Sequence, residues 1–354
     1  MSKFTVKKFV SFCLMLSLFV TVLSFTACST ADKKGELNLF IWTEYIPDSV
    51  IKAFEKETGI KVNIATYSSN EDMLAKVKAS KTGVYDIVVP SDYMVKMMAG
   101  EGLLEEIDKS AIPNLKNIDP SYLNRDFDPG NKFSVPYMAG VAALIINKTK
   151  VSEDIASFAQ IFNIKYENSI VILDDFRAII GAVSKSLGYS FNTTNPAQLE
   201  KVEPAMLLLK PNIKLRDSDS PKTAMLNEET IIGYMWNAEI AIAMQEKPDT
   251  FEIVFPKEGS YLFIDNLAIL KNAKNLENAK KFIDFILRAE ISKMISEEYP
   301  YTNPNKEAVA LLPDSYKKNS ASNVPAEVFV KGEFIKDIGS TVEKYDEIWT
   351  KFTK

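Results

Sequence analysis

Strand-like and helix-like segments alternate along most of the chain from Leu37 onward, and this pattern restricts the fold more than any other feature. The segment ELNLFIW predicts a strand, and PDSVIKAFEKETG predicts a helix that ends at Gly59. Two further pairs follow, IKVNIATY with SNEDMLAKVKAS and YDIVVPS with DYMVKMMAGEG. Such alternation predicts a mainly parallel sheet covered by helices, in which ligands bind beyond the carboxyl ends of the strands.

Two extended passages interrupt this alternation. Residues Phe133–Val151 and residues 251–270 contain no helix-like segment, and the strand–helix alternation resumes between them. A chain of 354 residues is also too long for one ordinary core. We therefore predict two α/β lobes, each a mainly parallel sheet covered by helices, joined by extended hinge crossings around a cleft. A last crossing is predicted near Asn305 to Leu311. The predicted boundaries are residues 36–142 plus 262–308 for lobe 1 and residues 143–261 plus 309–354 for lobe 2.

The first residues have the pattern of a lipoprotein signal peptide, which we place at residues 1–27. A basic start precedes an apolar run, and the run ends in S-F-T-A-C at Cys28. This ending resembles a bacterial lipobox, in which the cysteine becomes the lipidated first residue of the mature protein. Residues 28–35 are then a polar tether, and we expect a periplasmic or otherwise extracytoplasmic protein anchored to a bacterial membrane. An ordinary signal peptide with an incidental cysteine is the alternative.

The composition removes most of the common catalytic sites. The sequence contains no histidine, and of its two cysteines Cys13 lies inside the predicted leader. Ser-His-Asp triads, disulfide frameworks and most transition-metal sites are therefore excluded, and neither a dinucleotide-binding turn nor a P-loop occurs. Carboxylate-pair or lysine catalysis stays open, but we predict a binding protein with no cofactor and no metal. The net charge of −5 is compatible with cationic ligands and argues against nucleic-acid binding.

Aromatic and acidic residues follow several predicted strands, at positions expected to face the cleft. These residues are Trp42, Glu44 and Tyr45; Ser91, Asp92 and Tyr93; Asp174 and Asp175; Trp236 and Asn237; and Phe263 and Asp265. Aromatic faces and carboxylates together suit an organic ammonium, because the rings cover its methylenes and the carboxylates accept its N–H donors. Each residue also has a purely structural interpretation: Asp175 and Ser91 are good helix N-caps, and Asp265 could pair with a lysine.

At these residues the chain closely resembles the spermidine/putrescine-binding proteins of bacterial polyamine ABC transporters. The resemblance extends over nearly the whole mature chain, and it is strongest in LFIWTEYIPDS, FEKETGIKV, TYSSNEDMLAKVKASKTGVYDIVVPSDYMV, IDKSAIPNL, FSVPYMAG, MWN, FPKEGS and LAIL. It implies the two-lobed, type II-like periplasmic-binding-protein fold, closing on a polyamine. It also implies a membrane ABC permease as the partner.

The resemblance further implies a set of ligand-binding residues. An aromatic box would consist of Trp42, Tyr45, Trp236 and Tyr301, with Phe263 where the family usually has tryptophan. The positions that serve one terminal amine are matched by Thr43, Glu44, Ser91 and Tyr93. Asp175 and Asp265 match carboxylates that pair with other ligand nitrogens, and Ser218 matches a polar contact.

Two positions depart from the family pattern. Ala178 stands where the pattern has a glutamate, and Ile335 stands where it has a glutamine. Polyamine binding is compatible with both changes, but the choice between putrescine and spermidine is left open. We therefore predict a non-enzymatic, lipid-anchored receptor that captures a polyamine and delivers it to a permease. The alternatives are a same-fold receptor for another cationic solute, such as an amino acid or amino sugar, and a surface interaction lipoprotein with a degenerate pocket.

Overall fold

One mixed sheet of ten strands extends through the computed structural model, which describes residues 35–354. The strands are β1 Glu36–Trp42, β2 Lys61–Tyr67, β3 Ile87–Val88, β4 Ser134–Asn147, β5 Ile170–Ile172, β6 Ile213–Arg216, β7 Ile232–Trp236, β8 Phe251–Val254, β9 Tyr261–Ile269 and β10 Glu333–Phe334. The predicted leader, Cys28 and nearly all of the predicted tether lie outside the described residues. Within residues 35–354 no helix is long and apolar enough to cross a membrane.

Helices cover both faces of this sheet and follow most of its strands. They are α1 Asp48–Thr58, α2 Asn70–Ala79, α3 Asp92–Gly100, α4 Phe176–Ser186, α5 Pro196–Leu209, α6 Lys222–Leu226, α7 Asn237–Glu246, α8 Leu276–Ile286, α9 Ala289–Glu298, α10 Lys306–Leu311, α11 Asp314–Lys318, α12 Ala326–Lys331 and α13 Val342–Thr353. Short 3-10 helices occur at Lys109–Ala111, Pro113–Asn117, Pro120–Tyr122, Phe158–Phe162, Ile164–Tyr166, Lys210–Asn212 and Gly339–Thr341.

The strand order is β2-β1-β3-β9-β4-β7-β5-β6, with β10 beside β9 and β8 beside β4. Strands β2, β1 and β3 are parallel and form a first half-sheet, and β7, β5 and β6 are parallel and form a second half-sheet. The predicted α/β fold with two parallel, helix-covered lobes is thus confirmed. The sequence did not indicate that the crossing strands β4 and β9 pair antiparallel and join the two half-sheets into one sheet.

The two crossing strands form the centre of the core. Every residue of β4 and of β9 is buried, as expected for strands that are covered on both faces. The ladder shifts its register between Pro136 and Met138, because proline has no N–H for the ladder and a bulge accommodates it. The bulge turns Tyr137 toward the end of β1, where its hydroxyl donates to the carbonyl oxygen of Tyr45 at 2.7 Å.

Helix boundaries follow the expected chemistry, with two differences. Helix α1 ends at Gly59, whose φ of 71° is the left-handed conformation that glycine adopts without strain. The predicted long helical run near residues 272–298 is two helices, since the chain breaks between α8 and α9. The predicted last crossing near Asn305 to Leu311 contains the short helix α10. The proposed lobe boundaries stay a prediction.

Close packing at Gly140 fixes the position of the β4–β9 junction. Asn237 accepts from the backbone N–H of Val141 at 3.0 Å and donates to the carbonyl oxygen of Ala321 at 2.8 Å. A Cβ at Gly140 would lie 2.1 Å from Oδ1 of Asn237 and 2.7 Å from the ring of Phe263. Only glycine therefore leaves room for both side chains.

Gly140→Ala is expected to lower the free energy of unfolding by about 1–3 kcal/mol, because the added methyl group displaces a buried amide and a buried ring. Urea denaturation followed by circular dichroism measures the change. Gly100→Ala is the matched control, since a Cβ at this helical residue meets nothing within 4 Å, and it should change stability by no more than about 0.5 kcal/mol. Equal effects of the two substitutions would contradict the packing argument.

Candidate ligand-binding site

A cavity lies where the carboxyl ends of β1 and β7 meet the central strand β9. It is lined by Trp42, Thr43, Glu44, Tyr45, Ser68, Asn70, Ser91, Asp175, Ser218, Asp219, Trp236, Glu239, Tyr261, Phe263, Asp265 and Tyr301. Strand ends in open α/β sheets are the expected place for a ligand. The structure therefore brings together all the predicted binding residues except Tyr93.

Asp265 is a buried carboxylate of the cavity that two hydroxyl groups hold in position. It is 4% exposed, and it accepts a hydrogen bond from the hydroxyl of Ser91 at 2.6 Å and another from the hydroxyl of Tyr45. Asn70 holds Ser91 in turn, because its amide donates to the Ser91 hydroxyl at 3.0 Å and accepts from the Ser91 backbone N–H. The Ser91 hydroxyl thus donates to Asp265, and it forms no cap hydrogen bond to α3. Among residues 35–354 no lysine pairs with Asp265, contrary to the alternative interpretation of this residue.

Burial dominates the acid–base behaviour of Asp265. Loss of hydration raises its pKa to about 7, against the opposing effect of the hydrogen bonds from Ser91 and Tyr45. The Asp265 carboxyl group is therefore only partly ionised near neutral pH. A cation placed beside this carboxylate would favour ionisation and would lower the pKa.

Asp175 faces the cavity from the N-terminus of α4. Its Oδ1 atom accepts from the backbone N–H groups of Arg177 at 2.8 Å and Ala178 at 3.0 Å, which confirms the predicted N-cap. Burial raises the pKa of Asp175, although these two N–H groups and the charge of Arg177 act in the opposite direction. The second carboxylate oxygen, Oδ2, forms no hydrogen bond with the described residues.

Aromatic rings form a continuous run along the cavity. Neighbouring rings meet edge to face, with centroid distances of 5.6 Å for Tyr261–Trp236, 5.4 Å for Trp236–Phe263, 5.9 Å for Phe263–Tyr301 and 5.1 Å for Tyr301–Tyr45. Edge-to-face contact is a favourable geometry for such rings and holds them in place. Trp42 packs beside the run against Tyr67, and its indole N–H donates to the carbonyl oxygen of Val89 at 2.8 Å.

Two carboxylates of the lining, those of Glu44 and Glu239, are bonded to the side chain of Lys222 at the start of α6. The Nζ atom of Lys222 lies 3.0 Å from Oε2 of Glu44 and 3.1 Å from both carboxylate oxygens of Glu239. Burial raises the pKa of Glu239 to about 7, while the charge of Lys222 acts to lower it. The resemblance predicted that Glu44 faces an ammonium group of the ligand. In the structure Glu44 instead contacts the ammonium group of Lys222.

The remaining predicted residues have distinct surroundings. The hydroxyl of Ser218 is buried and has no hydrogen-bond partner among the described residues. Tyr93 is not among the cavity-lining residues, and its hydroxyl donates to Glu71 at 2.9 Å. The two departures from the family pattern, Ala178 and Ile335, are buried and lie outside the lining, so neither adds a polar atom to the cavity.

Sequence reasoning missed Ser68, Asn70, Asp219, Lys222, Glu239 and Tyr261. Tyr261 could have been found, because alternate residues of a strand share a face and Tyr261 precedes Phe263 and Asp265 by such steps. No comparable signal pointed to Lys222 or Glu239, since each lies on a helix that is otherwise ordinary in sequence. Their role depends on contacts between segments that are distant along the chain.

Comparison with known proteins supports the same interpretation of the fold. The family profile described as bacterial extracellular solute-binding protein matches residues 49–325. A spermidine/putrescine-binding periplasmic protein of Salmonella typhimurium is 39% identical over 322 residues, which cover 91% of this chain and 92% of the relative.

Two solved structures extend the comparison. The spermidine/putrescine ABC transporter substrate-binding protein PotD of Streptococcus pneumoniae is 35% identical, with a TM-score of 0.76 over 90% of this chain and 98% of that chain. The Tp0655 (TpPotD) lipoprotein of Treponema pallidum is 29% identical, with a TM-score of 0.81 over 90% of this chain and 99% of that chain. From the profile match and these similarities, the chain belongs to the family of bacterial extracellular solute-binding proteins.

Proposed function

We propose that this protein is an extracytoplasmic receptor that binds a polyamine in the cavity and delivers it to a membrane ABC permease. The observation that carries the proposal is a set of carboxylates arranged around a run of aromatic rings. The relatives named as spermidine/putrescine-binding proteins support the same ligand class. The protein performs no catalysis in this proposal, which requires no cofactor and no metal.

The charges of the cavity favour a cationic ligand. Five carboxylates line it, those of Glu44, Asp175, Asp219, Glu239 and Asp265, and no lysine or arginine is among the lining residues. Buried carboxylates are costly without a partner charge. A desolvated ammonium over an aromatic face gains about 2 kcal/mol, compared with about 0.5–1 kcal/mol at an exposed site. An alkyl chain that carries ammonium groups satisfies both the carboxylates and the rings.

The same charges disfavour a cationic amino acid. Such a ligand brings its own carboxylate, which would face other carboxylates in this cavity, and the nearby Lys222 is already bonded to Glu44 and Glu239. The polar atoms that line the cavity, including the unpartnered hydroxyl of Ser218, also disfavour a degenerate pocket. A polyamine lacks a carboxylate and is the better match.

Capture would involve both half-sheets. Trp42 ends β1 of the first half-sheet and Glu44 follows it, whereas in the second half-sheet Asp175 follows β5 and Trp236 ends β7. A ligand that contacts both groups binds the closed arrangement more tightly than an open one, and this difference in affinity would shift the population toward closure. The permease would recognise the closed form.

Calorimetric titration tests the ligand class. The mature protein is denatured and refolded to remove bound ligand, and it is then titrated with putrescine, spermidine and spermine. We expect saturable binding of at least one of them, and no binding of lysine at the same concentration. Failure of all three polyamines to bind to the folded protein would refute the proposal.

Asp265→Asn should weaken polyamine binding by more than tenfold, or about 1.4 kcal/mol, because a buried carboxylate–ammonium pair is lost.

Polyamine affinity of the unsubstituted protein should also fall about tenfold from pH 8 to pH 6, because a carboxylate with a pKa of about 7 must lose its proton to bind a cation. In the variant this pH dependence should be shallower. Calorimetry at both pH values measures both effects.

Asp314→Asn is the control for Asp265→Asn. It removes the same charge from a side chain that is 78% exposed and pairs with the surface residue Lys318, and it should leave affinity unchanged. Equal polyamine affinity of the two variants, with both folded, would make Asp265 a structural residue.

We also propose a lipid anchor at Cys28, on the basis of the S-F-T-A-C ending and the lipoprotein name of the Treponema relative. The full chain, expressed in a bacterial host and labelled with radioactive palmitate, should carry the label and fractionate with membranes. Cys28→Ser should lose the label, and Cys13→Ser should keep it. Label that persists without Cys28 would contradict the anchor.

A further inference from the structure

The ammonium group of Lys222 is held in the way that a bound amine would be held. Its Nζ atom contacts Glu44 at 3.0 Å, Ser220 at 3.0 Å and both carboxylate oxygens of Glu239 at 3.1 Å. An ammonium group has three N–H donors, so these partners use all of them. The side chains of Lys222 and Glu239 are 14% and 6% exposed, so water screens this pair little.

Glu44 of this cluster directly precedes Tyr45 in the chain, and Tyr45 is the last ring of the aromatic run, next to Tyr301. Burial, followed by the charges of Glu239, Asp265 and Glu44, raises the pKa of Tyr301 well above its ordinary value. At the other end, burial followed by the charge of Asp175 raises the pKa of Tyr261 in the same way. Because Trp236 and Phe263 separate Tyr261 from Tyr301 and Tyr45, the Lys222 cluster and Asp175 are placed toward opposite ends of the run.

Lys222 thus reduces the number of carboxylates that are available to a ligand. Glu44 and Glu239 already have a cation, and Asp219 is exposed to water, which screens its charge. Asp265 is buried and Asp175 is half-buried, and neither forms a salt bridge with any described lysine or arginine. Two carboxylates that form no salt bridge, although the charge of Arg177 acts on Asp175, match two ammonium groups on a ligand.

We propose that Lys222 is a specificity-determining residue: its ammonium group fills the subsite formed by Glu44 and Glu239, so that the cavity selects a diamine over a triamine. This inference rests on the proposed polyamine function and narrows it to one charge class. A third ammonium group on a ligand would have to displace Lys222 from two carboxylates or remain unpaired beside a cation. Either outcome penalises spermidine relative to putrescine.

Lys222→Met tests this directly, because methionine keeps the aliphatic stem and removes the charge. Calorimetric titration of the mature protein and the variant with putrescine and spermidine gives the ratio of the two dissociation constants for each. We expect the ratio to shift at least tenfold in favour of spermidine, since the substitution frees Glu44 and Glu239 for a third ammonium group. Lys222→Gln, which removes the charge but leaves a polar side chain, should shift the ratio in the same direction and serves as the second variant if the first does not fold.

Two controls separate the charge of Lys222 from its packing. Lys222→Arg keeps the cation and should retain the ratio of the unsubstituted protein. Glu239→Gln in the Lys222→Met background removes one freed carboxylate and should reverse part of the shift.

The outcomes separate the two proposals. If the unsubstituted protein binds both polyamines and the ratio is unchanged in Lys222→Met and Lys222→Gln, the specificity role of Lys222 is refuted and the polyamine function stands. If Lys222→Arg shifts the ratio as much as Lys222→Met does, packing rather than charge determines the preference, and the inference is also refuted. If the unsubstituted protein binds no polyamine, the proposed function itself fails.

Discussion

The antiparallel pairing of β4 with β9 is the interaction on which the rest of the structure depends. Each strand is buried along its whole length, and each pairs on its other side with a strand of a different half-sheet. The pair therefore joins the two half-sheets at the point where strand direction reverses. Because side chains alternate along a strand, β9 carries Tyr261, Phe263 and Asp265 on one face to this junction. The cavity exists because the strand ends of both half-sheets converge beside that face.

The electrostatics of the cavity follow from this burial. A strand buried on both faces leaves little water around Asp265, and the hydroxyl groups of Ser91 and Tyr45 replace only part of the lost hydration. Ionisation of Asp265 therefore has a free-energy cost, which a cation offsets on binding. Burial likewise raises the pKa of Glu239, and for this carboxylate the chain supplies its own cation in Lys222. The cavity therefore contains one buried carboxylate, Asp265, that has no salt bridge with any described residue, and another, Glu239, whose charge Lys222 neutralises.

Local patterns allowed much of this arrangement to be predicted. The strand–helix alternation gave the half-sheets, and the strand ends correctly indicated where Trp42, Asp175 and Trp236 would lie, since parallel strands present their carboxyl ends at one edge. Helix capping explained Asp175 before any ligand was considered. The same reasoning failed for Ser91, whose hydroxyl is committed to Asp265 across 174 positions of sequence rather than to its own helix. A cap is a local preference, and a buried carboxylate competes successfully for the hydroxyl.

The sequence by itself determined the α/β class, the family, and most of the aromatic and acidic residues of the cavity, because periodicity and motifs are properties of neighbouring residues. The tertiary structure alone decided which charges meet. Lys222 is 178 positions from Glu44 and 17 from Glu239, and nothing in the separate segments indicates that one ammonium group bridges both. Electrostatic interactions depend on distance in space and on exclusion of water, and both are established only when the two half-sheets close around β4 and β9.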